Sequence, residues 1–151
     1  MIRFILVALA TAAALCGALF LSASAHAQQA PTPAISGEWI GKYVCSQGIT
    51  ALKLNVSQSS SGALTATFSF GPLPENPNIP SGAYRMEGAF DPLTRKVKLH
   101  GVKWIEAPDN YVMVDLDGRV DTDGARIDGR VPPQWMGCSV FEVRRSAPLI
   151  S

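Results

Sequence analysis

The sequence is short of the groups that do chemistry. It holds only two histidines in 151 residues, His26 and His100. Gly-x-Ser-x-Gly, His-Glu-x-x-His and P-loop strings are all absent. An enzyme needs a nucleophile, a base and a group that orients them, or a set of metal ligands. No such constellation is present, so the chain reads as non-enzymatic, with no cofactor and no metal. Excess charge is missing too: 13 Lys plus Arg stand against 12 Asp plus Glu, for a formal net charge of +1. That balance gives no electrostatic argument for nucleic acid or for an anionic membrane. Helical periodicity is nearly absent from Gly37 onward, which argues against a bundle.

What is there begins with an export signal. Arg3 precedes an apolar run from Phe4 to Leu21, small residues follow, and Ala25-His26-Ala27 fits an Ala-x-Ala cleavage site. The run is long enough to span a bilayer, but no basic stop-transfer cluster follows it. The stretch "QQAPTPA" comes instead. Residues 1–27 are expected to be a signal peptide that leaves no stable membrane span once it is cut. Cys16 lacks the small preceding residue of a lipobox, and leaves with the signal. Residues 28–36 read as a flexible linker, 37–145 as one β domain and 146–151 as a tail. The destination is periplasmic or secreted. Loss of Arg3 leaves 12 basic against 12 acidic residues, and Cys45 and Cys138 remain as the two cysteines.

Alternation fills the domain. Trp39, Gly41, Tyr43 and Cys45 share one face, as do Leu52, Leu54 and Val56. Leu64, Ala66, Phe68 and Phe70 form a third set, and Tyr84, Met86, Gly88 and Phe90 a fourth. "KVKLH", "YVMVDLDGRV", "ARIDGRV" and "CSVFEVRR" continue the pattern to Arg145. Each reads as a strand with one wet face, because successive side chains point to opposite sides. "SQSSSGA", "DPLTRK" and "DTDGA" are short connectors made of turn formers. Two connectors are longer, Gly71–Gly82 with its four prolines and Glu106–Asn110.

Eight such strands leave two open edges if laid flat, and closure removes them. The expected fold is all-β, a single antiparallel eight-stranded meander barrel, with a β-sandwich as the alternative. Closure makes the first and last strands neighbours, which brings Cys45 and Cys138 together at the seam. An even cysteine count in an exported chain favours that bridge.

Several residues raise the question of a site. Trp39, Trp104 and Trp135 are three indoles in a small domain, and Trp104 and Trp135 lie beside proline-containing loops. With Tyr43 and Tyr84 they form the candidate ligand-binding set, a lining or stacking platform for a flat ligand. Gly41, Gly88 and Gly129 would thin the wall and enlarge the interior. Asp115, Asp117, Asp121 and Asp123 do not have EF-hand spacing and no Glu closes the loop, so they read as a solvated face and a turn, open to pairing with Arg126 and Arg130. His100 falls on the polar face of "KVKLH", as a solvated side chain.

The opening Gly37-Glu38-Trp39 resembles the Gly-x-Trp start of the calycin barrels, the lipocalins and avidins, and implies a small barrel that holds a ligand. "GKYVCSQGITALKL" is similar to the opening of small uncharacterised domains in exported proteobacterial proteins, which implies a location and no activity. Tyr43-Val44-Cys45-Ser46-Gln47-Gly48 resembles the Tyr-x-Cys-x-x-Gly opening of periplasmic inhibitors of c-type lysozyme. Ser81-Gly82-Ala83-Tyr84 is one residue shorter than the Ser-Gly-x-x-Tyr of their inhibitory loop. The functional expectation is an exported, disulfide-bonded, non-enzymatic barrel for a small apolar or flat ligand. The alternatives are a protein-interaction or inhibitor module that meets an envelope protein, and an uncharacterised enzyme.

Overall fold

The alternating segments become eight strands. A computed structural model describes residues 34–132 and 137–146. The expected signal peptide, residues 28–33 of the linker, Trp135 and residues 147–151 lie outside the described residues. The strands are β1 (Gly37–Cys45), β2 (Gly48–Gln58), β3 (Ala63–Gly71) and β4 (Gly82–Asp91), followed by β5 (Lys96–Glu106), β6 (Leu116–Val120), β7 (Arg126–Arg130) and β8 (Val140–Arg145). Each pairs antiparallel with the next, and β8 returns to β1, so the sheet is a closed eight-stranded meander barrel. The architecture is consistent with the calycin resemblance. A closed barrel and no sandwich forms because each strand has one apolar face and closing removes every full-length edge.

The inner face is filled. Trp39, Phe68, Met86 and Val143 have no exposed surface, and Leu54 and Tyr84 are 1 % exposed. Side chains so enclosed border neither solvent nor a void large enough for water. An eight-stranded barrel is narrow enough for its own side chains to occupy the interior. The three inner-face glycines do not widen it. A Cβ at Gly41 would run into the Glu142 carbonyl, one at Gly88 into the Lys98 carbonyl and one at Gly129 into the Asp117 carbonyl. These are the points where neighbouring backbones press together, so the missing side chains allow tight coiling of the sheet.

Two segments differ from the sequence expectation. "YVMVDLDGRV" is a strand only from Leu116, and Val112 is 62 % exposed. "KVKLH" continues instead as β5 to Glu106. The connector between them is therefore Ala107–Asp115. The extra length of β5 is accommodated by register shifts against β4, between Ala83 and Tyr84 and between Arg85 and Met86. β6 pairs with β5 only over Lys96–Leu99, so the upper half of β5 stands at a gap in the wall, and Ala107–Asp115 folds over that end.

Candidate functional site

The barrel has two unlike ends. One is built from the start of β1, the end of β8 and the three short turns, and it is sealed. The Trp39 indole lies there, beneath the chain that enters β1. Its Nε1 donates to the Ile35 carbonyl at 3.0 Å, and Ile35 is 1 % exposed. The Arg145 guanidinium lies 4.2 Å from the Trp39 ring centroid. Its Nη1 and Nη2 donate to the carbonyls of Ser36 and Ala34 at 2.8 and 2.6 Å. Apolar burial, a cation over a ring face and charge-assisted hydrogen bonds thus act on the same three residues. Trp39 is a closing residue, with no face left for a ligand.

The other end carries the long connectors and the disulfide. Cys45 ends β1 and bonds to Cys138, two residues before β8. The adjacent Ser139 N–H donates to the Val44 carbonyl at 2.9 Å. The bridge thus stands at the seam that closure creates. It fits an oxidising compartment. Among the described residues no helix is long and apolar enough to cross a membrane.

Beneath this mouth the aromatic side chains form one cluster. Phe68 stacks on Tyr84 with centroids 4.6 Å apart, and Tyr43 meets Phe68 edge-on at 5.4 Å. Trp104 packs edge-on against Tyr84 at 5.1 Å, and Phe70 stacks on Tyr111 at 5.3 Å. These geometries suit the ring quadrupoles and add to burial. The Tyr84 hydroxyl reaches the connector, donating to the Val114 carbonyl at 3.1 Å and accepting from the Val114 N–H at 3.2 Å. Burial pushes the Tyr84 phenol well above the usual tyrosine range, and it does the same to Tyr43. Both stay neutral at any physiological pH.

The loops are tied down around the cluster. Asn76 donates through Nδ2 to the carbonyls of Gln47 and Ile49, at 2.9 and 3.0 Å. This fixes the proline-rich loop over the β1–β2 turn. Gln47 Nε2 donates to the Tyr43 hydroxyl at 3.3 Å. Asp115 Oδ1 accepts from the Gly101 N–H at 3.1 Å and anchors the connector to β5. Between the β1–β2 turn and the connector lies a cleft of about 270 Å³. Tyr43, Gln47, Ser46 and the disulfide form one side, and Asn110, Tyr111, Val112 and Val114 the other. None of the described lining residues carries a charge. Asn110 has a left-handed backbone with φ 64°, a conformation Asn tolerates better than most residues.

Of the five residues singled out by sequence, Tyr43 lines the cleft. Tyr84 and Trp104 support it from below, Trp39 is at the opposite end, and Trp135 lies outside the described residues. Gln47, Asn110, Tyr111 and Val112 were not singled out. Asn110 stood at the edge of a recognised loop and Tyr111 inside an expected strand, so only the length of that loop pointed to them. His100 is exposed on the outer wall, opposite Glu87 in the β4–β5 register. Among the described residues no group of three or more His, Cys, Asp or Glu is placed to hold a metal. The acidic set is divided: Asp115 anchors the connector, and Asp121 shapes the β6–β7 turn by accepting from the Ala125 and Arg126 N–H groups. The ion pairs of Arg126 are with other acids, Asp128 at 3.2 Å and Glu142 at 3.9 Å, while Asp117 lies 4.0 Å from Lys98. In comparison with known proteins, no family model matches the chain, nor does any curated protein or solved structure.

Proposed function

We propose that this is an exported, non-enzymatic binding barrel that takes a small, flat, uncharged ligand at its disulfide-bearing mouth. The observation that carries the reading is the chemistry of the cleft. It combines two phenol rings, two side-chain amides, a hydroxyl and valine side chains, with no charge. Such a lining suits a ligand with one apolar face and neutral hydrogen-bonding edges, such as a sugar or a heteroaromatic ring. A carboxylate or ammonium would lose hydration there without gaining a partner. The filled interior directs this reading to the rim and away from a deep cavity. Export accounts for the disulfide and for the N-terminal pattern of the sequence.

The test is a screen of neutral monosaccharides and heteroaromatics by amide chemical-shift perturbation. Saturable shifts at Gln47, Asn110 and Tyr111, lost in Tyr111→Ala, are the expected result. Binding only by charged compounds, or shifts far from these residues, would sink the proposal. A second reading, a protein partner met at the mouth, draws on Ile105 and Val112, which are 60 and 62 % exposed. Its lysozyme-inhibitor version draws less support, since Gly82 and Tyr84 are buried and only Ser81 and Ala83 of that segment reach the surface. Co-purification from the cell envelope that depends on Val112 would favour the second reading.

A further inference from the structure

A second groove lies on the outer wall, where β7, β8 and β1 run side by side. It measures about 430 Å³ and passes over Gly129, with Val44 and Val140 as its apolar walls. Lys42 and Arg130 stand on its borders, as do Asp128 and Glu142. The acids are already engaged. Asp128 lies 3.2 Å from Arg126, and Glu142 lies 3.3 Å from Arg144 and 3.9 Å from Arg126. Lys42 and Arg130 are exposed and stand in no ion pair among the described residues, with Glu142 across from Lys42 and Asp117 across from Arg130 in the strand register. With Arg126 and Arg144, which hold those acids, four cations stand in or beside the groove against the two acids that line it.

The apolar surface does not end at the groove. Val44 pairs in register with Ile49 on β2, and Val140 stands one step beyond the Tyr43–Phe141 pair on β8. Val140, Val44 and Ile49 thus form a row across three strands, roughly 10 Å long at the usual strand spacing. Val140 is 51 % exposed and the other two are half-buried. β1 is hydrogen-bonded to β2 and β8 on its two sides, and β8 to β7 and β1. The wall has no free backbone groups here for an added strand. Recognition must come from side chains alone, which favours a ligand without a peptide backbone of its own to satisfy.

We propose that this groove binds an amphiphilic monoanion, with its head group between Lys42 and Arg130 and its apolar stem along the Val140–Val44–Ile49 row. The site is separate from the uncharged cleft at the mouth and does not depend on it. A carboxylate and a phosphate monoester present the same chemistry to two cations, so the head group is left to experiment.

The disulfide-bonded protein would be titrated below micelle concentrations with octanoate, octyl phosphate and neutral octanol, with amide shifts followed by NMR. Saturable shifts at Val44, Gly129, Arg130 and Val140 are expected with at least one anion, the tighter of the two identifying the head group. Octanol should bind at least tenfold more weakly. The double variant Lys42→Met, Arg130→Met should abolish the preference for the anion over octanol. Val140→Asp, which leaves both cations in place, should weaken anion binding at least tenfold. Equal binding of octanol and the anions, shifts confined to the mouth residues Tyr111 and Val112, or no saturable shift at all would overturn the proposal.

Discussion

The sealed end and the open mouth are built from the same strands and solve opposite problems. At the sealed end one indole, one guanidinium and one isoleucine fill the space, and the entering chain contributes its carbonyls as acceptors. At the mouth the aromatic cluster reaches the cleft through Tyr43 and Tyr111 without closing it. Long connectors are tied by single polar groups, such as Tyr84 to Val114 and Asn76 to the β1–β2 turn. Short turns leave little backbone to satisfy, so one end can be closed by packing. Long connectors bring many backbone polar groups, and a cleft persists between Ala107–Asp115 and the β1–β2 turn. A barrel with a closed end and a wet rim has its rigidity and its binding surface in different places.

Breaking the comparison should be most costly at the covalent tie. Replacing Cys45 and Cys138 together by alanine opens a loop with a sequence separation of 93 residues. In the chain-entropy model this removes roughly 4–5 kcal/mol, read as a lower denaturation midpoint in urea. Trp39→Ala should cost roughly 3–5 kcal/mol, since the indole is fully enclosed. It should also raise amide exchange at Ser36 and Arg145 while leaving the cleft intact. The reverse pattern, with loss at the mouth and a quiet sealed end, would refute the division between the two ends. Tyr84→Phe keeps the stacking on Phe68 but removes both hydrogen bonds to Val114. A loss of roughly 1–3 kcal/mol is expected, with faster exchange confined to residues 107–115.

The smallest effect concerns alkaline pH. The phenols of Tyr43 and Tyr84 are raised, chiefly by burial. In the unfolded chain both would ionise near the ordinary value of about 10. Their neutral burial therefore contributes stability that is fully present below pH about 10 and declines as pH rises above it. Ultraviolet titration should show these two phenols ionising only with unfolding, and Tyr84→Phe should reduce the alkaline loss. Ionisation of both near pH 10 in the folded protein would contradict the enclosed cluster.

Most of the strand content was legible in the sequence, and its failures are instructive. Tyr111 to Val114 alternate as a strand would, yet they form the connector, and Val114 is held by the Tyr84 hydroxyl. Alternation reports which side chains favour burial and says nothing about whether a neighbouring strand is present. Trp104 shows the converse. Counting by twos from Val97 on β5 places Lys103 inward and Trp104 outward. The register shift beside Met86 reverses this and sets Trp104 opposite Tyr84 and Lys103 opposite Arg85. A bulge inserts one residue, which inverts every later side chain. It leaves no mark in a pattern of apolar and polar residues.

The sequence by itself determined the alternation, the positions of the short turns and the placing of Cys45 and Cys138 beside the first and last strands. Those follow from local propensity and composition, which act over a few residues. Only the tertiary structure decided that Trp39 and Tyr43, which share one face of β1, serve opposite ends. Four residues separate them, roughly 13 Å along a strand. In a narrow barrel that distance divides a sealed floor from an open rim. The floor exists because Arg145, arriving from the far end of the chain, lies over the Trp39 ring, and closure of the sheet is what brings it there.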